Sequence, residues 1–304
     1  MKDAPKDTTK APAGNIPKSG PADLPPRTQD LLRRRPYLAS WFEDKRAPKT
    51  EPSLIARKAE SLDPDLIEKL VAHTPSRIAV GRAGTRFLTK DTLAMRAGHA
   101  IAKDAVYADI NQEFVDSLDC LKLHSQNTDR EDYLLYPNKG RRLNDESLAL
   151  LRAEAAPGST DVNGNASSGP DVQVIVADGL SAWATERNVP ELLRVLMTEL
   201  ESSGLSHGKP VFVRFARVGV QDHIGVVLGA RSTVILLGER PGLGTGDSLS
   251  AYIAYGPKLD QDNAEKNCIS NIRQLGLKPP EAAVEIVKVL KQAFATGRGG
   301  VNAI

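Results

Sequence analysis

Short apolar runs alternate with helical segments over residues 171–304, and this alternation limits the fold more than any other feature of the sequence. Four runs have the length and composition of buried strands, at residues 172–177, 211–215, 233–237 and 251–255. Helical patterns lie at residues 190–203 and 222–228 and again from Pro279 to the glycine at 297. Continuous apolar strands separated by helices are typical of a parallel sheet that is covered on both faces. We therefore predict an α/β fold, with a Rossmann-like domain over residues 171–304.

The preceding residues, 61–156, predict a mainly helical domain. Asp63 suits an N-cap position, with Pro64 in the first turn of a helix. A second helix is predicted over residues 89–107, and a third begins after Asn144. The apolar residues of the second helix fall on one side: Leu93, Ala97, Ala100, Ile101 and Ala105.

Two segments lack the apolar content of a folded domain. Residues 157–170 are almost all turn formers, and we interpret this Gly/Ser-rich segment as a surface loop at the domain boundary. Residues 1–60 are rich in Pro and Lys and cannot bury enough apolar surface to offset their ordering entropy, so they are predicted to be mostly disordered. An aromatic patch at 37–42 has two interpretations. It docks on the folded domains or on a partner protein, or it is one apolar turn of a tethering tail, which we favour.

Charge and cysteine content exclude several classes of protein. The chain has 304 residues with 40 Lys and Arg against 38 Asp and Glu, so its formal net charge is +2 and nucleic acid is not expected as a partner. Two distant cysteines, Cys120 and Cys268, provide neither a disulfide framework nor a zinc site. No apolar run has the ~20 residues needed to cross a bilayer. The amino terminus lacks the apolar core of a signal peptide, so a cytoplasmic protein is predicted.

Three loops follow predicted strands, and in an open parallel sheet such loops bind ligands. They cover residues 178–181, 216–222 and 238–246, and their glycines allow a backbone to approach a large ligand closely. The residues alone indicate no catalytic constellation and no metal site. A reactive thiolate needs a basic partner, and the sequence identifies none for Cys268, so the residues alone predict a buried, unreactive thiol. This pattern favours a ligand-binding subunit over a stand-alone enzyme.

Two glycine-rich stretches differ from known phosphate-binding motifs. The glycines of residues 242–246 do not follow the first strand of a βαβ unit, as the dinucleotide fingerprint requires. Residues 204–210 (GLSHGKP) resemble a phosphate loop but are one residue short, and they precede a strand instead of a helix. Neither stretch therefore predicts a nucleotide site.

Several motifs, in the same order along the chain, resemble the small (light) subunit of ethanolamine ammonia-lyase. The most specific are GERPGLGTGDSLSAY at 238–252 and NCISNIR at 267–273. Weaker matches are TPSRIAVGRAGT at 74–85, TDREDY at 128–133, GRRL at 140–143, VADGLSA at 176–182 and VGVQDHIG at 218–225. Together they extend from about Asp65 to the carboxyl terminus.

The resemblance implies a subunit of a lyase that converts ethanolamine to acetaldehyde and ammonia by a radical mechanism. In that family the large subunit, a TIM barrel, holds the substrate and most catalytic groups, and the small subunit closes over adenosylcobalamin. By motif position, the resemblance implies that Val218, Glu239 and Cys268 contact adenosylcobalamin, and it assigns no catalytic or metal-ligating residue to this chain. A small, polarisable cysteine suits packing against a cofactor without reactivity.

Some features depart from the family pattern. The extension at 1–60 is longer than expected. In some family members the amino terminus directs the enzyme to a bacterial microcompartment, so a microcompartment is an alternative to the cytoplasm as the predicted location. Gly98 stands where an Asp is expected before His99. Asp222 and His223 differ in spacing from the motif that gives some cobalamin proteins a histidine axial ligand, so a partly exposed histidine near a helix start is predicted. The alternatives are a free-standing nucleotide-binding α/β protein and a microcompartment adaptor.

Overall fold

The computed structural model describes residues 64–73, 78, 80–155 and 169–303. Contacts divide these residues into two units, one of residues 64–73 with 83–85 and one of residues 78, 80–82, 86–155 and 169–303. In the first unit, helix α1 spans Pro64–Ala72, which confirms the predicted helix start. The predicted tail at 1–60, with its aromatic patch, and most of the predicted loop at 157–170 lie outside the described residues.

The second unit has seven α-helices among its described residues. They are α2 (Thr89–Tyr107), α3 (Gln112–Ser117), α4 (Arg130–Leu135), α5 (Asp145–Glu154), α6 (Ala182–Ser202), α7 (Val220–Leu228) and α8 (Pro279–Thr296). Asn111, Asp129, Asn144 and Ser181 each accept a hydrogen bond from a backbone N–H of the first turn of α3, α4, α5 and α6. Helices α7 and α8 end at glycines in the left-handed conformation. No helix in the described ranges is both long and apolar enough to span a bilayer.

A six-stranded sheet forms the centre of the second unit. After the two-residue strands β1 (Arg82–Ala83) and β2 (Arg86–Phe87), its strands are β3 (Leu121–His124), β4 (Val172–Ala177), β5 (Val211–Arg214), β6 (Ser232–Gly238), β7 (Leu249–Tyr255) and β8 (Lys266–Ile272). Their order across the sheet is β3-β5-β4-β6-β7-β8. The first four are mutually parallel, whereas β7 runs antiparallel to both β6 and β8.

The sheet confirms the predicted α/β fold. Its edge strands differ from the prediction, with β7 and β8 at one edge and β3 at the other. The fourth predicted strand, 251–255, is β7, but it is antiparallel because a short loop of residues 239–248 joins it to β6 instead of a helix. Strand β8 was not predicted from the sequence, because it has no continuous apolar run and Cys268, Ser270 and Asn271 are exposed. Strand β3 lies in the range predicted to be mainly helical, and its pairing with β5 brings strands from both sides of the 157–170 loop into one sheet.

Helix α6 begins eight residues before the predicted start at Pro190. Proline is favoured in the first turn of a helix, because the backbone N–H groups there have no partner within the helix and proline has none to leave unpaired. This preference is why the predicted start was Pro190. Here Ser181 caps the helix instead, and Pro190 lies inside it on the exposed side. The helix continues because the inward positions after the proline, Leu192, Leu196 and Leu200, are fully buried.

Helices cover the sheet on both faces. Alternate residues of a strand point to opposite faces, so β4 directs Val172, Val174 and Val176 to one side and Ile175 and Ala177 to the other. The first side packs against α6 and α8. The second packs against α5 and α7. This three-layer arrangement agrees with the predicted sheet buried on both faces.

The strand order places a switch point between β4 and β6. The chain leaves β4 toward β5 through α6 and returns past β4 to β6 through α7. Connections that diverge in this way leave a crevice beyond the carboxyl ends of the strands, where open α/β sheets bind ligands. The loops after β4, β5 and β6 all lie at this edge.

Candidate functional site

Two cavities, of about 380 Å³ and about 310 Å³, share the residues Arg217 and Val218 after β5, and the smaller one lies at the carboxyl edge of the parallel strands. The smaller one is lined by loops that follow β4, β5 and β6, by side chains of β7 and β8, and by Tyr133 of α4. Val218, Glu239 and Cys268 all line it. The structure therefore brings together three residues that lie in separate motifs of the sequence. We call this space the three-loop cavity.

Glu239 is held in a fixed orientation at the end of β6. The hydroxyl of Ser250 on β7 donates a hydrogen bond to its Oε1, and the backbone N–H of Asn271 donates another at 3.0 Å. The second carboxylate oxygen, Oε2, takes part in neither bond. Because β6, β7 and β8 all contribute to this arrangement, the carboxylate is preorganised to accept a hydrogen bond from a ligand.

Cys268 is exposed, which corrects the buried position predicted from the residues alone. Strand β8 is the edge strand of the sheet, and the Cys268 side chain lines the cavity. Partial burial of the sulfur still raises the pKa of the Cys268 thiol, although the nearby hydroxyls of Tyr252 and Ser250 act against that rise. The thiol is therefore protonated at neutral pH and is a poor nucleophile.

Tyr252 lies opposite Cys268 in the β7–β8 pairing. Burial, with the nearby Cys268 thiol, raises the pKa of Tyr252 to about 12. Its phenol therefore stays neutral and offers one hydrogen-bond donor at the cavity wall. Sequence reasoning missed Tyr252, although it is the last residue of the GERPGLGTGDSLSAY motif.

Arg217, next to Val218, is a second residue that sequence reasoning did not single out. Its guanidinium stacks on the ring of Tyr133, 4.1 Å from the centroid, and its Nη2 donates to the Tyr133 carbonyl at 2.9 Å. Burial lowers the pKa of Arg217, and its Nε has no hydrogen-bond partner among the described residues. A buried donor without a partner at a cavity wall is suited to a ligand acceptor.

Gly179 and Gly238 allow the backbone after β4 to pass close to the backbone at the end of β6. Gly179 has a φ of +60°, and the Leu180 N–H donates to the Gly238 carbonyl at 2.9 Å. A Cβ on Gly238 would lie 2.1 Å from the carbonyl oxygen of Ser181. Glycine is therefore required at this crossing, which forms part of the cavity wall.

A buried arginine ties the loop after β4 to two helices. Arg130, at the start of α4, donates from Nε to the Val106 carbonyl of α2 and from Nη1 to the Gly179 carbonyl. Its Nη1 also lies 3.8 Å from a carboxylate oxygen of Asp178. Burial raises the pKa of Asp178, although Arg130 acts against that rise. These contacts hold the loop that carries Leu180 to the cavity.

His223 is half-buried in the first turns of α7, which confirms the partly exposed position predicted for it. Its Nδ1 accepts a hydrogen bond from the Leu143 N–H at 3.3 Å. Burial, together with the charges of Arg142 and Arg152, lowers the pKa of His223 below its ordinary value of 6.5.

This depressed pKa predicts acid destabilisation. Above the ordinary value of 6.5 the ring is neutral in both states. As pH falls below it, the unfolded chain binds a proton that the folded chain resists, so the free energy of unfolding decreases, by at most ~1.4 kcal/mol per pH unit from one group. We expect urea unfolding between about pH 7.5 and about pH 5.5 to show a smaller decrease for His223→Gln than for the wild type. Equal decreases in the two proteins would contradict this account.

Comparison with known proteins agrees with these motifs. The family described as ethanolamine ammonia-lyase light chain (EutC) matches residues 64–303. The chain is also similar to the ethanolamine ammonia-lyase small subunit of Clostridium acetobutylicum, with 38% identity over 236 residues, which is 78% of this chain and 93% of that protein. The matched region includes every residue of the three-loop cavity. The chain therefore belongs to the ethanolamine ammonia-lyase small-subunit family and is a subunit of a lyase.

Proposed function

We propose that this chain holds one edge of adenosylcobalamin, while a large subunit holds the remainder, in an enzyme that converts ethanolamine to acetaldehyde and ammonia. One observation carries the proposal. Val218, Glu239 and Cys268 come from three separate segments and line one cavity at the switch-point edge of the sheet. The family resemblance implies a cobalamin contact for each of them.

The chemistry of the three-loop cavity suits the rim of a corrin ring, which carries primary amides. An amide donates and accepts hydrogen bonds, and the cavity offers both partners, the Glu239 carboxylate and the unpartnered Nε of Arg217. Val218, Leu180 and Leu237 add apolar surface beside these polar groups. A cavity of about 310 Å³ lies at the lower end of the range for small-molecule sites, ~300–1,000 Å³. It can receive an edge of so large a cofactor but not enclose it, which favours a site shared between two chains.

When bound, adenosylcobalamin supplies the radical chemistry of the reaction. The residues of this chain orient the cofactor and exclude water from its edge. Glu239 accepts a hydrogen bond, Arg217 and Tyr252 donate, and Cys268 packs as a protonated thiol. The family resemblance assigns none of these residues a role as a general acid or base on ethanolamine. We therefore assign the conversion of substrate to the large subunit, for which the family implies a TIM barrel.

Helix α2 supports a protein partner. Four large apolar side chains on it are exposed, namely Leu93, Met95, Ile101 and Tyr107. From the predicted apolar side of this helix, Leu93, Ala97, Ala100 and Ile101 are exposed, and Ala105 alone is buried. Apolar surface left exposed over several turns of one helix is typical of a surface that another chain covers.

We also propose that the central domain has a Rossmann-like fold. Its parallel strands β5-β4-β6 place the switch point between β4 and β6, which is the arrangement of doubly wound nucleotide-binding sheets. The alternative, a free-standing nucleotide-binding protein, is less well supported. The glycine-rich loop after β6 leads into strand β7, so it offers no helix amino terminus for a pyrophosphate.

Separate and combined subunits test the proposal. We expect the purified chain alone neither to release ammonia from ethanolamine nor to bind adenosylcobalamin fully, because half of the site is missing. Mixed with its large subunit, it should do both, as measured by an ammonia assay and by an absorbance titration with adenosylcobalamin. Release of ammonia by this chain alone would show that the assignment of chemistry to the partner is wrong. Binding of a dinucleotide, with no effect of cobalamin on thermal unfolding, would favour the alternative.

A further inference from the structure

The second cavity, of about 380 Å³, lies beside the three-loop cavity and shares the wall formed by Arg217 and Val218. On its far side, Asp222 and Lys266 form an ion pair with 3.0 Å between Oδ2 and Nζ. The side chains are 2% and 1% exposed, respectively. This buried pair has no part in the functions described above.

The two partners lie close in sequence to two of the proposed cofactor contacts. Asp222 lies in the first turn of α7, four residues after Val218. Lys266 is the first residue of β8, two residues before Cys268. Because residues two apart in a strand point to the same face, Lys266 and Cys268 share one face of the sheet. The ion pair therefore links α7 to β8 next to the residues that line the three-loop cavity.

Lys266 also fixes the loop that precedes β8. Its Nζ donates to the carbonyl oxygen of Gln261 at 2.6 Å as well as to Asp222. Burial raises the pKa of Asp222, and the hydrogen bond from Lys266 opposes that rise. A buried ion pair seldom stabilises a fold more than apolar residues of the same size, whereas loss of one partner leaves an uncompensated charge. What the pair provides here is a directional link between α7 and β8.

We propose that Asp222 and Lys266 are positioning residues whose ion pair sets the separation of Val218 and Cys268 across the three-loop cavity. This inference rests on the proposed function, since it assumes that the cavity receives the cofactor. Without Asp222, the Lys266 ammonium must move toward water, and β8 moves with it. Cys268 then shifts relative to Val218, although neither residue is changed.

The first test is Asp222→Asn in the assembled two-subunit enzyme. We expect the affinity for adenosylcobalamin to fall about fivefold, within the roughly 2- to 30-fold range of residues that act through their neighbours. The KM for the cofactor should rise by the same factor, and kcat at saturating cofactor should stay close to that of the wild type. The measurements are the absorbance titration and the ammonia assay. A folded Asp222→Asn enzyme with unchanged affinity overturns the inference.

Two further variants separate positioning from stability. Leu196→Ala removes a fully buried side chain of α6 on the other face of the sheet and should lower the melting temperature without changing cofactor affinity. The double variant Asp222→Leu with Lys266→Met removes both charges and should recover stability but not affinity. Recovery of both would show that the pair is purely structural, and it overturns the inference. If the wild-type assembly itself gives no cobalamin titration, the proposed function fails instead.

Discussion

Replacing Glu239 with glutamine is expected to weaken adenosylcobalamin binding to the assembled enzyme about tenfold, since hydrogen bonds to charged groups contribute ~1.5–3 kcal/mol and 1.4 kcal/mol is a factor of ten. The glutamine carbonyl oxygen can keep the bonds from Ser250 and from the Asn271 N–H. Its amide nitrogen then takes the place of Oε2. A donor thus faces the cofactor amides where the wild type offers an acceptor, and the negative charge is lost as well.

A matched variant controls for charge alone. Glu285 is a carboxylate on α8 whose nearest cation is Lys288, 3.3 Å away in an exposed pair. Glu285→Gln removes one negative charge outside the three-loop cavity and should leave the absorbance titration unchanged. Equal affinities for Glu239→Gln, Glu285→Gln and the wild type would contradict the role of Glu239. Melting temperatures of the three chains check that each is folded.

Replacing Gly238 with alanine is expected to have the largest effect on stability. The added Cβ would lie 2.1 Å from the Ser181 carbonyl oxygen and 2.7 Å from that of Asp178, and both are backbone atoms that cannot rotate away. Overpacking of a rigid site costs ~1–3 kcal/mol, and this contact belongs at the upper end of that range. For a domain of this size the melting temperature should fall by ~6–12 °C. Circular dichroism of the purified chain measures the change.

Gly256→Ala is the control for this substitution. Gly256 has a φ of +56°, and a Cβ there would meet nothing within 4 Å. The variant therefore isolates the cost of a left-handed backbone conformation, about 1 kcal/mol. Its melting temperature should lie between those of the wild type and Gly238→Ala. If Gly238→Ala were no less stable than Gly256→Ala, the crossing of the two loops would be less rigid than the contacts indicate.

The parallel part of the sheet could be predicted because burial on both faces leaves a simple pattern. Strands β4 and β6 are buried at every position, and their sequences are apolar almost throughout. Strand β8 is an edge strand with alternating exposure, and NCISNI has no continuous apolar run. Strand β3 has four residues, too few to show a period. Edge strands depend on pairing with a neighbour, and that information lies elsewhere in the chain.

The site was predictable to a smaller extent. Val218, Glu239 and Cys268 followed from the family motifs, and the three loops followed from the strand pattern. Tyr133 could not be inferred, because α4 reaches the cavity only through the pairing of β3 with β5. Exposure of Cys268 also depends on β8 being the last strand of the sheet.

The arrangement of the last two strands also determines when the cavity can form. Its lining residues extend from Tyr133 to Ser270, and Glu239 is oriented in part by the Asn271 N–H of the segment that ends β8. A nascent chain that has emerged only as far as Glu239, directly after β6, carries Val218 and Glu239 but not Cys268. Domains fold as units during synthesis. The three-loop cavity is therefore complete only after β8 has left the ribosome.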